Sequence, residues 1–175
     1  GEVIKNERGH LVVRLKLKDK DFYFKKYRIK NIYHGFTRLL KPTRANNSMK
    51  ATLWFNAVGI KTATPILFCE DKGFLGARAS FLVTESIVGK SLDDALMIED
   101  DHVRGISSID AFFKRINWIG YCHGDAKTSN FFMDKSLIAF DLDSSCQSFL
   151  HPFQRKTLLR DKKRILKSLK GYNTI

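Results

Sequence analysis

Acids, an amide and a lysine stand at fixed spacing in the second half of the chain. They lie in the stretch His123-Gly124-Asp125-Ala126-Lys127-Thr128-Ser129-Asn130, and again at Asp141-Leu142-Asp143. Asp125 and Asn130 share one polar loop, and Asp141 closes an apolar run that returns from it. Phosphoryl transfer needs a group to orient or deprotonate the acceptor hydroxyl, oxygen ligands for Mg²⁺, and cations to hold the phosphate charge. Asp125 suits the first task and Asn130 with Asp141 the second. Lys127, two residues past the base, suits the third. A positioned base contributes on the order of 10²–10⁴ in rate, and positioning and electrostatics supply the rest. The alternative is a polar loop that carries these types by chance, but four fixed loop positions followed by an apolar strand ending in Asp make a demanding pattern.

Such a loop needs rigid elements around it. Upstream, Ile109, Phe112, Phe113, Ile116 and Ile119 recur at helical spacing and predict a helix over 107–121. Downstream, FFM, a turn at Asp134-Lys135-Ser136 and LIAF predict a tight hairpin. A basic amphipathic helix is expected from about Phe153 to Leu169, and its one acid, Asp161, is a candidate brace for the polar loop.

The first part of the chain reads differently. Residues 11–17 and 22–27 alternate as strands joined by a polar turn over 18–21, and 31–41 are basic and amphipathic. Asn46-Asn47-Ser48 are expected to cap a helix running through Met49–Val58 to Gly59. A second strand pair, 65–69 and 80–84, turns at 71–73.

HGDAKTSNFF followed by LIAFDLD resembles the catalytic loop and metal-binding strand end of protein-kinase-like enzymes, in the HGD form rather than HRD. FYFKKY resembles their strand carrying the lysine for the ATP phosphates, and its phase favours Lys25 over Lys26. LVTES resembles their hinge, where main-chain groups of Glu85 and Ile87 would bind adenine. More narrowly, the long stretch from Lys25 to Pro65, FLVTESIVGKSL, the loop itself, FDLDSS and the final RKTLLRDKKRILKSL are together similar to the bacterial lipopolysaccharide core kinase family, which phosphorylates heptose or Kdo sugars.

That resemblance implies an α+β, bilobal protein-kinase-like fold with a small β-rich N-lobe and a compact, mostly helical C-lobe. Residues 1–175 would form a single kinase-like domain: N-lobe about 1–84, hinge about 85–90 and C-lobe about 91–175. ATP and Mg²⁺ are the implied cofactors, and a lipopolysaccharide core sugar or related anionic glycan is the implied acceptor. Asp125 and Lys127 are the expected catalytic residues, Asn130 and Asp141 the metal ligands, and Lys25, Glu85 and Ile87 the nucleotide contacts.

Three departures qualify the pattern. No Asp or Glu occurs from Phe22 to Cys69, so the helix glutamate that usually pairs with the strand lysine is missing, and Leu53 or a neighbour stands in its place. Lys25 is then expected to be held by Asp141 or by the nucleotide, since an unpaired, partly buried lysine is costly. The phosphate loop lacks GxGxxG, leaving 6–10 as its turn. No activation-segment element follows Asp143, which argues against a protein acceptor. The first two departures motivate an alternative of another class, a nucleotide-binding pseudokinase-like module.

Composition bounds the rest. Apolar residues make up 43% of the chain and 14 are Phe, enough to form a core and to exclude global disorder. The three cysteines are widely spaced, arguing against structural zinc and a disulfide framework and for buried free thiols in a reducing compartment. The net charge of +13 is concentrated in two blocks, one from Phe22 to Cys69 and the other from Gln154 to Lys170. This points to an anionic partner, with a generally basic soluble surface as the bland alternative. Anionic core sugars and peripheral contact with the anionic inner membrane are the expected partners. Specific nucleic-acid binding is not expected, because the aromatics form no evident stacking platform. No stretch reaches the ~20 apolar residues of a membrane span and no signal peptide pattern opens the chain, so a cytoplasmic location, peripheral at the inner membrane, is expected. The chain opens on Gly1, and kinases of this architecture usually run longer, so further sequence before Gly1 is an expectation.

Overall fold

A computed structural model describes residues 1–7, 9–28, 42–73, 76–147 and 151–169. The amphipathic segment expected over 31–41 lies outside the described residues. In chain order the strands are β1 (Glu2–Glu7), β2 (His10–Leu17) and β3 (Lys20–Arg28), followed by helix α1 (Arg44–Ala57). Then come β4 (Lys61–Thr62), β5 (Pro65–Gly73), β6 (Gly76–Glu85), β7 (Lys90–Ser91), α2 (Leu92–Ala95) and α3 (Glu99–Trp118). Strand β8 (Tyr121–Cys122), a 3₁₀ turn over Thr128–Asn130, β9 (Phe131–Met133) and β10 (Leu137–Ala139) follow. A second 3₁₀ turn (Leu142–Ser144), β11 (Cys146–Gln147) and α4 (His151–Leu169) complete the described chain.

The chain divides into two compact units, and the division is not a single cut. Gly1–Lys50 joins with Ala63–Ser86, while Ala51–Thr62 joins with Ile87–Ile175.

The first unit is a five-stranded antiparallel sheet in the order β1-β2-β3-β6-β5. The expected turn between β2 and β3 tightens to Lys18-Asp19, since Leu17 pairs with Lys20 and Lys18 takes a left-handed φ of 54°. Tyr27, Leu82 and Ala45 form a small buried core with Phe68 against it, so the start of α1 packs on this sheet. The helix begins earlier than the Asn46-Asn47-Ser48 run predicts. Thr43 makes the cap: its hydroxyl accepts from the Asn46 N–H at 3.2 Å and its carbonyl from the Asn47 N–H at 2.9 Å. The three polar residues therefore lie within the first turns of the helix.

The second unit holds the larger core, built around the aromatic rings of Phe55, Phe112, Phe131 and Tyr121. Phe112 sits at its centre, edge-on to Phe131 at 5.0 Å, Phe113 at 5.4 Å and Phe55 at 5.8 Å between ring centroids. Each buried ring of this size contributes roughly 1.5–3 kcal/mol relative to exposure. The predicted stripe of α3 faces this core, with Ile109, Phe112, Phe113 and Ile116 buried and Ile119 half-buried. The helix starts at Glu99, well before the predicted 107, because its first turns carry charged residues whose spacing shows no apolar period. Gly120, at φ 70°, ends it and turns the chain into β8.

Two small sheets frame the polar loop. One has the order β4-β10-β9-β7, with β4 parallel to β10 and the other pairs antiparallel. The second pairs β8 with β11. Along α4, Leu158, Asp161 and Ile165 are buried on one stripe while the basic residues Arg160, Lys162, Lys163 and Arg164 stay exposed.

Candidate active site

The loop from His123 to Asn130 begins as β8 ends and closes where β9 begins, so both its stems are held by strands. His123 anchors the first stem. Its ring is fully buried, packed on Phe131 at 5.4 Å and Phe112 at 6.2 Å, and neither ring nitrogen has a hydrogen-bond partner of ordinary geometry among the described residues. Burial pushes its pKa below the usual value, outweighing the opposite pull of Asp161, Asp141 and Asp125. The imidazole is thus neutral at pH 7 and serves packing. Its carbonyl accepts from Ser145 Oγ at 3.0 Å, which joins this stem to the segment beyond Asp141.

Gly124 explains why the motif carries HGD. Its φ of 85° lies in the left-handed region, and a Cβ added there would run into the carbonyl oxygen of Ser144. Only glycine satisfies both demands. Its N–H donates to Asp161 Oδ2 at 2.8 Å, and its carbonyl accepts from Arg164 at 3.0 Å. Asp161 is fully buried, and the bracing contact anticipated for it is present.

Asp125 sits at the mouth of the loop with its side chain about one-third exposed. Its Oδ1 accepts from Arg164 at 2.8 Å. Its Oδ2 faces Asn130 Nδ2 at 3.3 Å and Lys127 Nζ at 3.7 Å. Asn130 is buried, and its amide nitrogen also donates to the Asp125 carbonyl at 2.8 Å, which leaves the amide oxygen as its acceptor. Between them Ala126 points into the core, and the Thr128 N–H donates to Ser168 Oγ of α4 at 3.3 Å.

Asp141 arrives from the hairpin. The Phe140 N–H donates to the Asn130 carbonyl at 3.2 Å, and the next residue, Asp141, is half-buried in a left-handed conformation, φ 57° and ψ 50°. Among the described residues no three His, Cys, Asp or Glu side chains cluster as a protein-only metal cage. An amide oxygen and a carboxylate, as Asn130 and Asp141 carry, are the hard oxygen donor types that a Mg²⁺ would take alongside water and phosphate oxygens.

The expected nucleotide contacts lie elsewhere in the chain. Lys25 is half-buried on β3, opposite Leu82 of β6, on the sheet face that also carries Tyr27 and hence the face toward α1. Lys26 lies on the other face, 5.1 Å above the Phe81 ring. The Glu85 N–H is taken by the Thr64 carbonyl at 2.9 Å, and its carboxylate lies 3.6 Å from Lys20. Glu85 belongs to the first unit and Ile87 to the second.

The structure thus brings Asp125, Lys127 and Asn130 into direct contact and ties Asp141 to them through the hairpin. Sequence reasoning missed Arg164, one basic residue among eight in the terminal block. Its position three residues after Asp161, on the loop-facing side of an amphipathic helix, was the available signal.

The cysteines depart from expectation. Cys122 is buried, but Cys69, on edge strand β5, and Cys146, on the short β11, are exposed. Cys122 and Cys146 are direct cross-strand partners. A hydrogen bond from Cys122 lowers the Cys146 thiol to about 7, while that bond and burial raise Cys122.

A five-stranded antiparallel sheet packed on one helix, with a separate helical unit carrying a polar loop and a hairpin that ends in Asp, defines an α+β protein-kinase-like fold. The structure is similar to one described as "WaaP in complex with acyl carrier protein", with a TM-score of 0.71 and 15% sequence identity over 96% of this chain and 70% of that one. The sequence model of the lipopolysaccharide kinase (Kdo/WaaP) family matches residues 2–170. The chain therefore belongs to the lipopolysaccharide kinase (Kdo/WaaP) family, and is an ATP-dependent kinase, a transferase of lipopolysaccharide biosynthesis. No curated protein matches it by sequence.

Proposed function

We propose that this kinase transfers the γ-phosphoryl group of ATP to a hydroxyl of a heptose or Kdo sugar in the lipopolysaccharide inner core. The observation that carries the reading is the Asp125 carboxylate, fixed through one oxygen with the other facing Lys127 and Asn130. In the proposed step the sugar oxygen forms the new bond to the γ-phosphorus as the bond to the bridging oxygen of ADP breaks. The hydroxyl proton passes to Asp125, and Lys127 holds charge on the transferred group.

Asn130 and Asp141 would hold Mg²⁺, which when bound neutralises phosphate charge. Lys25 would hold the ATP phosphates, and the main chain of Glu85 and Ile87 would meet adenine. The first unit then serves as the N-lobe and the second as the C-lobe, with about 85–90 as hinge. Among the described residues no helix is long and apolar enough to cross a membrane. The basic blocks would hold the enzyme peripherally on the cytoplasmic face of the inner membrane, near its anionic glycolipid.

The test is phosphate transfer from labelled ATP to isolated inner-core oligosaccharide. Asp125→Ala should abolish transfer while leaving folding and ATP binding nearly intact, and undiminished turnover in that variant would remove the assignment. The absence of any acid in α1, RANNSMKATLWFNA, keeps one rival in view. Nucleotide binding without turnover on any core sugar would favour a pseudokinase-like module.

A further inference from the structure

Arg164 lies 39 residues beyond Asp125, yet it makes the shortest contact to the Asp125 carboxylate among the described residues. One guanidinium nitrogen donates both to Asp125 Oδ1, at 2.8 Å, and to the Gly124 carbonyl, at 3.0 Å. We propose that Arg164 is a positioning residue for phosphoryl transfer, fixing Asp125 by one oxygen so that the other is presented to the acceptor hydroxyl. The inference rests on the reading of Asp125 as the base.

The physical case begins with the rotor. The terminal torsion of an aspartate is broad and roughly two-fold, so a partly exposed carboxylate left alone samples many orientations. Here the guanidinium references the carboxylate to the loop's own backbone. The helix that carries it is itself fixed: Asp161, three residues earlier, is buried and accepts from the Gly124 N–H, and Ile165 is buried beside it. The pair Asp161 and Arg164 therefore holds both polar groups of the Gly124 peptide and one oxygen of the next side chain.

Oδ2 is held more loosely. Its contacts to Asn130 and Lys127, at 3.3 and 3.7 Å, are long enough to yield to a bound hydroxyl. A lysine could supply the charge at 164, but its ammonium ends a stem one atom shorter and more flexible than the guanidinium, so it would not sit where this one nitrogen meets both acceptors. The Arg164 side chain is 45% exposed, and an ion pair so open to water adds little to stability. Losing it should therefore show in the chemistry and hardly at all in folding.

The experiment compares wild type, Arg164→Ala, Arg164→Lys and Asp125→Ala, with ATP and isolated inner-core oligosaccharide. In Arg164→Ala, kcat should fall on the order of 100-fold, the cost of losing orientation, with the KM for ATP within about 2-fold of wild type and the Tm nearly unchanged. Added guanidinium ion should restore part of the turnover in Arg164→Ala and none in Asp125→Ala. Arg164→Lys should fall between wild type and Arg164→Ala. Amide exchange in the 123–130 segment should quicken in Arg164→Ala.

Wild-type turnover in Arg164→Ala overturns the proposal. So does a loss of turnover that accompanies a lowered Tm and resists guanidinium rescue. The exchange measurement needs no acceptor, so unchanged protection over 123–130 overturns it even if every sugar is refused. Refusal of every sugar by the wild type would remove the sugar-kinase reading instead.

Discussion

His123 shows how burial decides what a residue does. A histidine beside an aspartate invites an acid–base reading, but this ring is enclosed by Phe112 and Phe131, and burial holds its folded pKa below the ordinary 6.5. Above about pH 6.5 the imidazole is neutral in both folded and unfolded chains, and its contribution to stability is fully present. As pH falls below that value the unfolded chain binds a proton that the folded chain refuses, so stability declines until the lower folded pKa is reached. The Tm of the wild type should therefore drop as the pH falls below about 6.5. His123→Leu should flatten that part of the profile, and an identical slope in the variant would show that other groups control it. The identity of His123 was legible in the sequence. Its neutrality was not, because the rings that bury it come from α3 and β9.

Among the elements, the loop, its hairpin and α4 act as one assembly. The hairpin was readable from alternation and a turn, since both signals are local. The grip of α4 was legible only at Asp161, the one acid of a basic helix; the rest was not, because such a helix has many exposed faces and only packing selects the one that meets the loop. Gly124 is where the assembly is tightest, with the Ser144 carbonyl on one side and Asp161 on the other. Gly124→Ala should cost at least about 1–3 kcal/mol from its left-handed backbone alone, with further loss from the contact with Ser144. It should also remove turnover, because relief of that contact shifts Asp125. Chemical denaturation together with the transfer assay checks both parts, and wild-type stability would show that the loop relaxes at no cost. Element boundaries erred where the signal was not apolar: Thr43 caps α1 ahead of the Asn-Asn-Ser run, and charged residues open α3.

For the molecule as a whole, charge is the property with the longest reach. A net charge of +13, with basic residues in two blocks, is expected to draw the enzyme to anionic glycolipid. Binding to vesicles containing lipopolysaccharide should weaken steeply between 0.1 and 1 M salt, as the screening length falls from about 10 to 3 Å. Co-sedimentation across that range checks it, and binding indifferent to salt would rule out electrostatic docking. The sequence by itself pointed to the kinase class, through the resemblance of HGDAKTSNFF and LIAFDLD to protein-kinase-like enzymes, which is legible because the loop and the hairpin are marked by local signals. It also determined the two kinds of architecture, through alternation in the first part of the chain and helical periodicity in the second. Asp161 apart, only the tertiary structure decided which distant groups meet that loop. Asp161, Arg164 and Ser168 reach it across 37 to 40 residues, and β4 pairs in parallel with a strand from the far end of the chain. In sequence, Arg164 is one of eight interchangeable charges; burial of Leu158, Asp161 and Ile165 fixes the rotation of α4, and that rotation alone places Arg164 on the loop.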